Sequence, residues 1–262
     1  MAFLEQILQT KKEEISRLKK TTSADLLREY PLFERQCNSL KKALAEDHRP
    51  GIIAEYKQQS PSKGRINKNA RIEDVTRGYA EAGASALSVL TDRSFFGGSL
   101  EDLEKTRKAN PFTPLLRKDF ILDPLQVYEA KAKGADVILL IVACLQEEKL
   151  YSLAALGKEL GMEILVEIHK EEELSKIPPL ADFVGINNRN LDTFNVDIQT
   201  SLRLAKKIPE KYGKISESGL SEPSHVTLLK AYGFQGFLIG ETFMKTGNPG
   251  EACKQFISKL NP

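Results

Sequence analysis

Residues 52–64 read IIAEYKQQSPSKG, a run that begins as a buried strand and ends as a loop. Side chains two apart on a strand share a face, so Ile53, Glu55 and Lys57 point one way and Ile52, Ala54 and Tyr56 the other. A carboxylate and an ammonium aimed together from an apolar strand need a reason. Alone, the pair fits a structural ion pair as well as a functional one, and the rest of the chain decides between them.

Seven more short apolar runs follow: ALSVL (86–90), PLLRKDF (114–120), DVILLIV (136–142), EILVEI (163–168), DFVGIN (182–187), KISESG (214–219) and GFLIG (236–240). Helical segments are expected over 71–82, 100–109, 124–133, 146–160, 170–176, 197–207, 223–232 and 249–260. Gly83, Gly134, Gly161 and Gly233 stand where helices end. Asp123-Pro124 reads as an N-cap followed by proline at the first helical position, and Ser221 as a helix start before Pro223. Alternating strands and helices imply parallel strands joined by crossover helices. Eight repeats favour a closed (β/α)8 barrel, a TIM barrel, which takes about 250 residues. No G-x-G-x-x-G follows the first strand, so a dinucleotide-binding fold lacks its signature.

No long linker interrupts the run, so one domain over residues 1–262 is expected, with residues 1–50 as an N-terminal helical extension before strand 1. Within it Phe3, Leu4, Ile7, Leu8, Ile15 and Leu18 follow helical spacing, with Lys and Glu on the other face. Ser23 is the expected N-cap of a second short helix near Ala24 to Glu29.

The 262 residues are 41% hydrophobic and 28% charged, as in ordinary globular proteins, and the net charge of +2 is too small to attract nucleic acid. Cys37, Cys144 and Cys253 are scattered, which fits a reducing compartment with each thiol a small buried hydrophobe. No signal-peptide pattern and no run of about 20 apolar residues occurs. The expectations are a cytoplasmic protein with no membrane span and no metal.

In such barrels the active site lies at the C-terminal ends of the strands. There strand one carries Glu55 and Lys57, strand three Lys118, strand five Glu167, strand six Asn187 and Arg189, and strand seven Glu217 and Ser218. Strand parity lets these groups point inward while their neighbours face the helices. Buried ion pairs spread over five strands are a poor route to stability, so the set reads as a functional site. Gly219 after strand seven, and Gly240 and Glu241 after strand eight, stand where this fold commonly holds a phosphate on backbone N–H groups, with the Ser60 hydroxyl nearby. His169, two residues beyond Glu167, reads as a loop or packing histidine.

Together the motifs resemble the indole-3-glycerol-phosphate synthase family of tryptophan biosynthesis. They are Glu55-Tyr56-Lys57 with Ser60-Pro61-Ser62-Lys63-Gly64, Ser88-Val89-Leu90-Thr91, Phe95-Phe96-Gly97-Gly98-Ser99 and Leu116-Arg117-Lys118-Asp119-Phe120. Val166-Glu167, Gly185 to Leu191, Glu217-Ser218-Gly219 and Ile239-Gly240-Glu241 complete the set. Gln58, Gln59 and Leu220 depart from the family pattern without removing a chemical group. A fused second barrel is not expected.

The resemblance implies Glu55, Lys57, Lys118, Glu167, Asn187 and Ser218 as catalytic residues. Lys118 is implied as the acid of ring closure, Glu167 and Lys57 as acid and base of dehydration, and Glu55 as the tuner of Lys57. It implies substrate-binding roles for the rest. Arg189 would hold a carboxylate, Phe96 and Phe120 an aromatic ring, and Glu217 with Asn187 hydroxyl groups. Ser60, Gly219, Gly240 and Glu241 would hold the phosphate, and the loop after strand one would close as a lid. A phosphorylated small molecule as substrate, no cofactor and a monomer or weak homodimer are also implied. Alternatives on the same barrel are a phosphoribosyl isomerase, a Schiff-base aldolase and a non-catalytic sugar-phosphate binder.

Overall fold

The computed structural model describes residues 3–46, 48–61, 63–67, 70–191 and 193–260; Ser62 of the loop motif lies outside them. Eight parallel strands close into a barrel in chain order. They are β1 (Ile52–Tyr56), β2 (Ala86–Leu90), β3 (Leu115–Lys118), β4 (Val137–Ile141), β5 (Glu163–Ile168), β6 (Phe183–Asn187), β7 (Gly213–Glu217) and β8 (Gly236–Ile239). Each pairs with the next, and β8 returns to β1. The register places Glu167 opposite Gly185, and Asn187 opposite Glu217, at the C-terminal rim.

The expected parity holds. Ile53, Leu116, Leu139, Leu165, Ile215 and Leu238 fill the barrel interior. Ile52, Ala54, Tyr56, Val166 and Ile186 face outward into the layer shared with the helices. The alternation follows from the period of two along each strand, so the charged residues of the same parity as Ile53 also enter the barrel.

The crossover helices are α4 (Ile72–Glu81), α5 (Leu100–Ala109), α6 (Pro124–Ala132), α7 (Glu147–Glu159), α8 (Gln199–Ala205), α9 (Pro223–Lys230) and α11 (Pro249–Ser258). Asp123 caps α6 in a reciprocal capping box with Gln126, ahead of Pro124. Gly83, Gly134, Gly161 and Gly233 adopt positive φ where their helices stop. Two expectations need correction. The segment expected as a helix over 170–176 is a 3-10 helix, Glu171–Lys176. Ser221 does not cap α9: Glu222 holds the N-cap position with no side-chain bond, because Pro223 already fixes the first helical φ. A one-turn helix, α10 (Glu241–Met244), follows β8 directly.

The N-terminal extension holds α1 (Phe3–Thr21), α2 (Ala24–Arg28) and α3 (Leu40–Ala45). The Ser23 hydroxyl accepts the Leu26 N–H, as its N-cap position requires. Ser39 caps α3 and donates to Glu163 Oε1 at 2.6 Å, which fixes α3 under the N-terminal end of β5. Leu40 thereby joins the interior cluster from below, and Ile7 of α1 joins it from above. The cysteines are only partly as expected. Cys253 is buried, but Cys37 and Cys144 are half-buried, and Cys37 Sγ lies 3.2 Å from Lys131 Nζ because the extension and α6 meet there.

One buried carboxylate joins the extension to the barrel. Asp136 Oδ1 accepts from Arg35 Nη2 at 2.6 Å and from the Asn38 N–H at 2.8 Å. Its Oδ2 accepts from the Leu115 N–H at 2.8 Å and from Arg107. Arg107, itself buried, also donates to the carbonyls of Gly134, Asn110, Pro111 and Thr113. Asp136→Ala strands this guanidinium without its counter-charge and is expected to cost about 3–5 kcal/mol. Urea unfolding measures it; a loss below about 1 kcal/mol would contradict the reading.

Candidate active site

Lys118 ends β3 with its ammonium inside the barrel mouth. Its Nζ lies 2.6 Å from Glu167 Oε2 on β5 and 2.8 Å from Glu217 Oε2 on β7. Asn187 Nδ2 donates to the other Glu167 oxygen at 3.1 Å, and its Oδ1 accepts the Arg189 N–H. Just past the end of β1, Lys57 Nζ sits 3.3 Å from Glu55 Oε1.

Two glycines make room for these acids. A Cβ on Gly185 would lie 2.3 Å from Glu217 Oε1, and one on Gly240 would lie 2.7 Å from Glu55 Oε1. After β7, Ser218 and Gly219 both take positive φ, at 67° and 79°. Ser218 is held in that unfavourable conformation from outside the pocket, where Asn188 Nδ2 donates to its carbonyl at 3.1 Å.

The electrostatics follow from one cation serving two anions. Burial works against the charge on Lys118, but Glu167, Glu217 and Glu55 outweigh it and hold its pKa above the ordinary lysine value. Burial also works against the charge on Glu167, yet Lys118 and His169 push its pKa well below the carboxylate range. Glu217 is left behind: burial, with the Glu167 charge beside it, raises it to about 7 despite Lys118. The site therefore holds one firmly ionised carboxylate and one that keeps a proton up to neutrality.

Phe3, Ile7, Phe96, Phe120 and Phe194 line the same pocket as Glu55, Lys57, Lys118, Glu167, Asn187 and Arg189. Its empty space is about 850 Å³ including the open mouth. An adjoining cavity is lined by Lys57, Lys63, Arg189, Ser218, Gly219, Gly240 and Glu241. One side is thus aromatic and the other cationic and glycine-lined. Ser60 is buried at the edge of the first cavity, and its hydroxyl has no protein partner among the described residues. The loop after β1 is a small hairpin, pairing Gln59–Ser60 with Gly64–Arg65, and Lys63 at its tip bonds Glu241.

Two placements differ from expectation. His169 is no mere packing residue: its Nε2 lies 3.2 Å from Glu167 Oε1. Lys11 is not on the polar face of α1. It lies one turn from both Ile7 and Ile15, buried, with Nζ 2.8 Å from Asp92 Oδ2, 3.0 Å from Asp119 Oδ1 and 2.7 Å from Glu14 Oε2. Asp119 also pairs with Arg117 and Thr91. Burial works against its charge, but Lys11 and Arg117 bring its pKa down to about 2. Asp92 Oδ1 accepts the N–H groups of Phe95 and Phe96, so the same carboxylates that hold α1 also shape the aromatic loop. Among the described residues no group of three or more His, Cys, Asp and Glu is arranged to hold a metal, and no helix is long and apolar enough to cross a membrane.

Residues 4–256 match the family model described as indole-3-glycerol phosphate synthase. The chain belongs to the indole-3-glycerol phosphate synthase family. A member from Bacteroides thetaiotaomicron is 48% identical over 260 residues, covering 98% of each chain. Members from Polaromonas sp. and Salinibacter ruber are each 43% identical, with 97% of this chain covered and 98% and 95% of theirs. Among solved structures, the tryptophan synthase α subunit of Legionella pneumophila superposes with a TM-score of 0.61 at 14% identity, covering 85% of this chain and 97% of its own. A chain of the Pyrococcus furiosus tryptophan synthase complex gives 0.58 at 17% identity, covering 81% and 98%. At such identities the likeness speaks for the fold alone.

In this family member the first helix is one wall of the pocket, held by Lys11. Lys11→Met removes a buried charge from between Asp92 and Asp119 and is expected to cost about 3–5 kcal/mol. Limited proteolysis is expected to cleave within α1 well before the barrel. A variant as resistant as the parent would refute the latch.

Proposed function

We propose that the mouth of the barrel carries out the reaction of the family: conversion of 1-(2-carboxyphenylamino)-1-deoxyribulose 5-phosphate to indole-3-glycerol phosphate, carbon dioxide and water. The observation that supports it best is the Lys118 ammonium between Glu167 and Glu217. It stands between an aromatic wall and a cationic, glycine-lined recess.

The substrate has the same polarity as the pocket. Its carboxyphenyl ring fits against Phe96 and Phe120, whose rings lie 6.3 Å apart. Its phosphate fits the recess beside Gly219 and Gly240, with Ser60, the Glu241 N–H and the charges of Lys57 and Lys63. Arg189 lines both cavities, and its guanidinium fork suits the substrate carboxylate between them.

When the ring carbon attacks the ketone, negative charge grows on the ketone oxygen. Lys118, fully charged and poised by two carboxylates, protonates it. Carbon dioxide then leaves and the ring regains aromaticity. In the dehydration that follows, Glu167 and Lys57 form the acid–base pair, with Glu55 tuning Lys57 through its opposite charge. Asn187 orients Glu167, and Glu217, carrying a proton below about pH 7, donates to a substrate hydroxyl with Ser218 beside it.

Lys118 held charged by two acids is a poor Schiff-base nucleophile, which argues against the aldolase alternative. The extension fits a single domain with the barrel it closes, and the three unpaired cysteines fit the cytoplasm.

Product formation is read as indole fluorescence on mixing the protein with this substrate. No product between about pH 6 and 8.5 would end the reading. Lys118→Ala is expected to lower kcat by about two to four orders of magnitude. Near-normal turnover would reject its role. Because Glu217 is raised, it is protonated below about pH 7 and ionised above it. Glu217→Gln is therefore expected to remove an ionisation near pH 7 from the kcat/KM profile; an unchanged profile would reject its assignment.

A further inference from the structure

The stoichiometry of the proposed reaction imposes a demand that the substrate pocket alone does not meet. The ketone oxygen takes up two protons on its way to becoming water, and the carbon next to nitrogen releases one. The carboxylate leaves as carbon dioxide with no proton of its own. Each turnover therefore draws one proton from solvent while the substrate fills the mouth. After ring closure Lys118 is a neutral amine and needs that proton back.

Behind Glu167 lies a second opening. His169, Lys170, Glu173, Asn187 and Arg189 line a solvent-facing cavity that shares only Asn187, Arg189 and Leu191 with the substrate pocket. His169 stands at the partition. Its Nε2 is 3.2 Å from Glu167 Oε1 and its Nδ1 is 3.9 Å from Glu173 Oε2. Both ring nitrogens are buried and neither makes a hydrogen bond to the described residues. Glu173 is itself fixed, since its Oε2 accepts the His169 N–H at 2.7 Å. Thus the two oxygens of Glu167 face different partners: Oε2 the Lys118 ammonium, and Oε1 the His169 ring together with the Asn187 amide.

We propose that His169 is a positioning residue that reloads Lys118 with a proton, acting through Glu167 and refilled from the cavity behind it. The step breaks the Nε2–H bond of the imidazolium and forms an O–H bond on Glu167 Oε1. The carboxyl turns about its Cγ–Cδ bond and passes the proton to the neutral Lys118 amine, which regains its charge. The imidazole then takes a proton from solvent, so one proton enters per turnover and no other bond changes. The transfer runs toward the strongest base in the site.

The surroundings suit a charged ring. Burial works against it, but Glu167, Glu173 and Glu217 overcome burial and raise the His169 pKa above the usual histidine value. Near the same carboxylates, from other elements, are the Lys118 ammonium, beside Glu167, and the half-buried Cys144 thiol after β4, which burial keeps neutral. Lys170 and Arg189 lie along the cavity. With a raised pKa the ring stays loaded to a higher pH than an ordinary histidine and is lost as a carrier when pH rises through that value.

This inference rests on Lys118 being the ring-closure acid, and rapid mixing with the substrate separates the two claims. His169→Gln, with His169→Asn as a second variant, starts with Lys118 already charged. Its first turnover is expected at the wild-type rate, followed by later turnovers slowed about 10-fold or more, with KM within about twofold. Added imidazole is expected to speed those later turnovers in the variants but not in the wild type. A first turnover slowed as much as the rest, unslowed later turnovers, or no response to imidazole would each overturn the relay. Lys118→Ala, by contrast, is expected to slow the first turnover itself. Should it not, the role of Lys118 fails, whatever the His169 variants do.

Discussion

A single ammonium held between two carboxylates inside an apolar barrel governs the design of this protein. Lys118 meets Glu167 at 2.6 Å and Glu217 at 2.8 Å, and none of the three tolerates burial without the others. The scaffold is adjusted around that cluster. Gly185 leaves the volume that Glu217 occupies, Gly240 leaves the volume for Glu55, and Asn187 fixes the Glu167 oxygen that does not face Lys118. The imbalance of one cation against two anions gives chemically identical side chains different protonation states at the same pH, one ionised and one holding its proton to about 7.

Much of this was legible in the sequence because a strand has a rigid period. Once eight apolar runs alternate with helical segments, Glu55 must lie on the face of Ile53, and Glu167 on that of Leu165. The parallel barrel then brings their C-terminal ends to one rim. What periodicity could not supply was contact between distant segments. By residue type alone Lys11 belongs on the polar side of α1. It lies on the apolar stripe between Ile7 and Ile15, since its partners Asp92 and Asp119 arrive from loops far along the chain. The signal was present as a helical spacing of four, with the middle member charged. His169 was hidden for a related reason: past a strand end parity no longer fixes direction, and only the folded loop turns the ring back onto Glu167.

The site is polarised as well as charged. Aromatic side chains gather on the side of β2, β3 and α1, while Lys57, Lys63, Arg189 and the glycines gather on the side of β7 and β8. A molecule with a flat apolar end and an anionic end can enter in only one sense, and the sense decides which of its atoms meets Lys118. The partition owes its aromatic half to the extension. Phe3 places its ring edge-on to Phe95 and Phe194, which joins the loops after β2 and β6 across the opening.

The extension stops the barrel at both ends, with Ile7 above and Leu40 below. It also leaves the ribosome before the barrel does. Through most of synthesis its apolar stripe and the Lys11 charge have nowhere to dock, because Asp92, Asp119 and Glu163 have yet to be made. The helices that close the barrel mouth are thus translated before its strands and seated late. An incomplete barrel lacks its roof, and the nascent chain cannot acquire a working mouth ahead of its strands.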